Sequence, residues 1–82
     1  MSPRVPALKP RKVIRTFQNA GYILDHIEGS HYEGSHYYFT RPTDRTIHFS
    51  VPHHSGEMKR STLAKILKQA KISLAEFLRH DP

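Results

Sequence analysis

The feature that most restricts the fold of this chain is a change of hydrophobic period along it. From Arg11 to Ala20 the apolar residues Val13, Ile14, Phe17 and Ala20 fall at i, i+1, i+4 and i+7, which is one stripe of a helix. Over Thr46–Val51 the period drops to two. Ile47, Phe49 and Val51 alternate with His48 and Ser50, the pattern of a half-buried strand. From Ser61 to Ala70 the helical stripe returns in Leu63, Ile66, Leu67 and Ala70. Two further stretches rich in aromatic and β-branched residues, Tyr22–Ile27 and Tyr37–Arg41, read as strands.

The punctuation between these stretches supports the same order. Pro3, Pro6 and Pro10 break up the first ten residues, which also carry Arg4 and Lys9, so residues 1–10 read as a flexible basic arm and 11–82 as one domain. Pro10 suits a helix start, and Gly21 suits a left-handed helix stop. Pro42-Thr43-Asp44 marks the turn between the second and third strands, and Pro52 closes the sheet region. Ser61 is the expected N-cap of the second helix. Ser73-Leu74-Ala75-Glu76 matches a capping box opening a short third helix, with Leu74, Phe77 and Leu78 turned inward. The expected class is α+β, in the order α-β-β-β-α with a short C-terminal helix, the helices lying on one face of a three-stranded antiparallel sheet.

Residues 28–32 read Glu-Gly-Ser-His-Tyr, and residues 33–37 repeat them without change. Because five is odd, a continuous strand would point His31 and His36 to opposite faces. Only one of them holds its geometry toward the second strand. Gly29, Ser30, Gly34 and Ser35 form turns readily, so the loop between the first two strands is expected to absorb the extra residues.

Thirteen Lys and Arg against seven Asp and Glu leave a net charge of +6 on 82 residues. That balance fits either a polyanionic partner or a solvated surface kept soluble by charge. The absence of cysteine excludes disulfides and a thiol nucleophile. No apolar run spans a bilayer and no secretory signal opens the chain, so a cytoplasmic protein with no membrane association is expected. The seven histidines suit proton transfer near neutral pH. Gly34-Ser35-His36-Tyr37-Tyr38-Phe39 brings an imidazole from a flexible approach onto a strand, with His36 and Tyr38 on one face and Phe39 on the other. Lys59 and Arg60 lie just ahead of a helix N-terminus, where free N–H groups already favour phosphate, and Lys65 and Lys68 extend the basic surface. No metal or other cofactor is expected. The helical i, i+4 histidine pair is absent, the side chains of His53 and His54 diverge, and no carboxylate cluster accompanies them.

Taken in order, these segments resemble the HicA toxin family from Lys12 to Phe77. The carrying residues are the helix ending in Ala20-Gly21-Tyr22, Gly-Ser-His before an aromatic strand, Val51-Pro52-His53-His54-Ser55-Gly56, the helix from Lys59 to Ala70, and Ile72-Ser73-Leu74-Ala75-Glu76-Phe77. The resemblance implies a fold similar to double-stranded-RNA-binding domains, ribosome-independent cleavage of messenger RNA, and neutralisation by a HicB-type antitoxin. It also implies that the Gly-Ser-His histidine is catalytic. Here that is His36, which keeps its spacing to Phe39, or alternatively His31, which keeps its spacing to the first strand. The resemblance further marks Lys71 as standing where a glycine usually ends the second helix.

The reaction this implies needs no metal. His36 takes the proton of an RNA 2′-hydroxyl, while Lys59, Arg60, Lys65, Lys68, Ser35 and Tyr38 contact the RNA and His54 reaches in from its loop as a supporting group. Two other readings remain at this point: an RNA-binding module impaired in cleavage by the duplication, and a basic protein-interaction domain. A lengthened hinge loop also permits a domain-swapped dimer.

Overall fold

The computed structural model describes residues 5–30 and 34–82. Helix α1 spans Pro10–Asn19, strands β1, β2 and β3 span Ile23–Ser30, Gly34–Arg41 and Asp44–His53, and helices α2 and α3 span Arg60–Ala70 and Leu74–Leu78. The strands form one antiparallel sheet in the order β1-β2-β3, and the helices pack on one face of it. This is the expected α+β arrangement, similar to double-stranded-RNA-binding domains.

The ends of α1 and α2 fix how the layers meet. Behind α1, Gly21 takes a φ of 91°, the Gly21 N–H donates to Gln18 O and the Tyr22 N–H donates to Phe17 O, each at 3.0 Å. That left-handed stop delivers Tyr22 edge-on against Phe17, with ring centroids 5.1 Å apart. The Tyr22 hydroxyl, pushed above its ordinary pKa chiefly by burial, donates to Ala70 O at 2.8 Å and ties the start of β1 to the end of α2. The core is closed by Phe39, Phe49 and Val51 from the sheet, Leu63, Ile66 and Leu67 from α2, and Met58 and Phe77.

Several expectations shift. Helix α2 starts at Arg60 with Lys59 as N-cap and no side-chain cap, so Ser61 lies inside its first turn. The buried Met58, whose N–H donates to Leu8 O at 2.8 Å, anchors the chain immediately before it. Within the N-terminal arm, Val5 and Leu8 pack against the core. Pro52 sits within β3, which it can do because β3 is an edge strand. Ser73 caps α3 as expected, accepting from the Glu76 N–H at 3.1 Å. Phe77 is fully buried and Leu74 packs on the core, but Leu78 lies 38% exposed, since one turn of helix cannot turn all three inward.

The pentapeptide copies form strand rather than loop. Glu28 pairs with His36, Gly29 with Ser35 and Ser30 with Gly34, so the first copy zips against the second and only residues 31–33 are left to connect them. A Cβ on Gly29 would collide with the backbone of Gly34 and Ser35, so the close approach of the two copies depends on glycine.

Lys71 ends α2 at φ 59°, the left-handed position where a β-carbon is unfavourable. Replacing it with glycine should raise unfolding free energy by about 1 kcal/mol, read as a shift in urea midpoint with an unchanged slope. Destabilisation by Lys71→Gly would show that no strain resides there.

Candidate active site

The open face of the sheet is built by alternation. Phe39 is fully buried beneath the helices, so its neighbours in the β2 alternation, His36, Tyr38 and Thr40, take the opposite face. His36 is exposed on this central strand, between Glu28 of β1 and Pro52 of β3. A strand flanked on both sides is a rigid mount for an imidazole. His31 lies outside the described residues.

A bulge in β1 adds a group that the sequence pattern did not reveal. Pairing passes from Leu24–Phe39 to His26–Tyr38, leaving Asp25 as the extra residue and setting its carboxylate beside His26. The His26 ring stacks on Tyr38 with centroids 4.5 Å apart and an interplanar angle of 7°. Its Nδ1–H donates to Asp25 Oδ2 at 2.7 Å, and Nε2 faces Glu28 Oε1 at 3.3 Å. The Glu28 carboxylate also accepts from the Tyr38 hydroxyl and holds that phenol above its ordinary pKa, mainly through its charge. The hydrogen bond to Asp25, followed by the charges of Asp25 and Glu28, holds the His26 imidazole above the usual histidine pKa. Glu28 therefore links His26 and Tyr38 while standing directly opposite His36.

The other candidates are distributed around this face rather than gathered on it. Ser35 alternates to the helix side, where it pairs with His53. His54 sits at the end of β3 against Gly34, its Cβ 3.6 Å from where a Gly34 Cβ would lie, and its Nδ1 is 2.9 Å from Ser55 O. Lys59 and Arg60 open α2 at this same end, because α2 runs back along the sheet to its anchor on Tyr22. Leu63, Ile66, Leu67 and Ala70 face inward, so Lys65 and Lys68 point away from the sheet. Among the described residues, none of Lys59, Arg60, Lys65 and Lys68 forms an ion pair. No helix among those residues is long and apolar enough to cross a membrane.

His26 should titrate above 6.5 by NMR, and Asp25→Asn should move it down, because the largest upward influence is removed. A pKa raised on folding stabilises the fold below the unfolded value of about 6.5 and ceases to do so as pH rises through the folded value. Any stability lost in Asp25→Asn should therefore be greater at pH 5.5 than at pH 8.5. An unchanged His26 titration in that variant would break the assignment.

Comparison with known families places the site in context. Residues 10–72 match the family described as HicA toxin of bacterial toxin-antitoxin, a span running from the first residue of α1 to just beyond α2. Comparison with curated proteins gave no match. The matched span carries all three strands and both long helices, and with them Gly34-Ser35-His36 and the loop of His53 and His54. This chain belongs to the HicA toxin family.

Proposed function

We propose that the protein is a toxin endoribonuclease that cleaves messenger RNA in the cytoplasm, with His36 as the catalytic base, and that a HicB-type antitoxin neutralises it. The observation that carries this reading is the exposed placement of His36 on the central strand, at the Gly-Ser-His segment of a chain in a toxin family.

In the proposed step, neutral His36 accepts the proton of an RNA 2′-hydroxyl as that oxygen attacks the adjacent phosphorus. The bond from phosphorus to the 5′-oxygen breaks, the departing oxygen takes a proton, and the products are a 2′,3′-cyclic phosphate and a 5′-hydroxyl. No metal takes part in this scheme. Lys59 and Arg60, at the N-terminus of α2, offset the charge that builds on phosphate, and Lys65 and Lys68 extend the cationic surface for the RNA backbone. Tyr38, beside His36 on the open face, offers a ring on which a base can stack. Ser35 contacts the backbone from the helix side, and His54 is the nearest candidate for a supporting proton donor. The need for a 2′-hydroxyl selects RNA over DNA.

Cleavage of a long unstructured RNA in the presence of EDTA tests this directly. Wild type should cut, and His36→Ala should cut at least on the order of 100-fold more slowly while retaining its circular dichroism spectrum. Loss in His31→Ala alone would move the catalytic role to the first copy of the repeat. RNA that is bound but left intact by the wild type would favour a binding module whose cleavage the duplication has removed. Failure to bind RNA at all would leave an interaction domain for an acidic partner.

A further inference from the structure

On the helix side of the sheet, a hollow of about 440 Å³ lies between α1 and the strand ends, lined by Arg11, Ile14, Arg15, Gln18, Tyr37 and His53. We infer that this hollow is a binding site for the phosphodiester backbone of RNA, held by Arg11 and Arg15 on one wall and by His53 and Tyr37 on the other. The inference rests on RNA being the substrate, and it assigns to that substrate a surface distinct from the open face that bears His36.

Three properties of the hollow point to an anion. Arg11 and Arg15 are one helical turn apart on the exposed face of α1, where like charges repel and cost a few tenths of a kcal/mol. Among the described residues neither makes an ion pair, and no carboxylate lines the hollow. Neighbouring Lys12, by contrast, is neutralised by Asp81 at 3.3 Å. The other lining groups are chiefly hydrogen-bond donors. Two guanidinium forks, the Gln18 amide, the Tyr37 hydroxyl and the His53 ring converge on one space, a set suited to phosphate oxygens.

The same lining favours nucleic acid over an acidic protein segment. Ile14 is the one aliphatic residue in it and is buried beneath α1, which leaves little for the apolar anchor of a protein partner. The rings of Tyr37 and His53 meet edge-on with centroids 5.6 Å apart and offer a nucleotide an aromatic wall. The hollow also backs onto the candidate active site, because Tyr37 adjoins His36 on β2 and His53 pairs with Ser35. A single RNA strand rounding the hairpin end of the sheet would meet both.

The test uses the full chain and a fluorescent single-stranded RNA carrying 2′-O-methyl groups throughout, which keeps its phosphates and cannot be cleaved by 2′-hydroxyl attack. Binding is followed by anisotropy across a salt series. The Arg11→Gln/Arg15→Gln variant should bind on the order of tenfold or more weakly at low salt, and its slope of log affinity against log salt should be shallower by about 2. His53→Gln, on the opposite wall, should weaken binding on its own. Arg45→Gln/Arg79→Gln removes equal charge elsewhere and should change affinity far less. Equal losses in the two double variants, or an unchanged slope in the first, would overturn the inference while leaving RNA as the ligand. If the wild type does not bind the RNA, both the inference and the proposed function fall together.

Discussion

The structure depends on one side chain more than any other, that of Phe17. Its ring lies 5.1 Å from Tyr22, 5.9 Å from Phe39, 4.8 Å from Phe49 and 5.0 Å from Phe77. These contacts join α1 to the head of β1, to β2, to β3 and to α3. In a domain this small, with no disulfide to share the task, such a cluster supplies much of the apolar burial that opposes chain entropy. It also decides the sidedness of the sheet. With Phe39 and Phe49 drawn under α1, alternation sends His36, Tyr38 and His48 to the open face. The orientation of the candidate base thus follows from where the phenylalanines are buried, although His36 touches none of them.

The tandem pentapeptide shows how an insertion can be accommodated without disturbing that core. The two copies pair with one another as rungs of a lengthened hairpin, and the register from His26–Tyr38 to Ile27–Tyr37 continues into Glu28–His36 without a further shift. Gly29 allows the two backbones to approach where any side chain would collide. The result is a candidate base on the central strand with a carboxylate, Glu28, directly across from it. The added residues also bring charge to this part of the open face.

Most of the fold was legible in the residues because its elements announce themselves by period: Val13, Ile14 and Phe17 for α1, Ile47, Phe49 and Val51 for β3, Leu63, Ile66 and Leu67 for α2. What was not legible arises only from pairing. Gly-Ser repeats read as turns by local chemistry, and their zipping into strand is visible only when each copy is set against the other. The start of α2 moved to Arg60 because buried Met58 fixes the chain, a tertiary effect that outweighs the local capping preference of Ser61. At the candidate site, alternation foretold that His36 and Tyr38 share a face. The bulge that joins Asp25 to His26 left no mark in composition, and the hollow beside Arg11 and Arg15 exists only once α1 lies over His53.

The distribution of charge carries the argument a step further. The open face near His36 holds Asp25 and Glu28, whereas Arg11, Arg15, Lys65 and Lys68, which make no ion pairs among the described residues, lie in the helix layer. The smallest extent of the domain is 21 Å, roughly two Debye lengths at 0.1 M salt. Cations in the helix layer therefore attract RNA to their own side and contribute little field at the open face. For a polyanion to reach His36, it must be carried around the hairpin end, where Gly34, Ser35, His53, His54 and the head of α2 bring the two faces together. Under this arrangement affinity arises chiefly in the helix layer and cleavage at the sheet, so a partner that covered the hairpin end would block the reaction without having to cover either face completely.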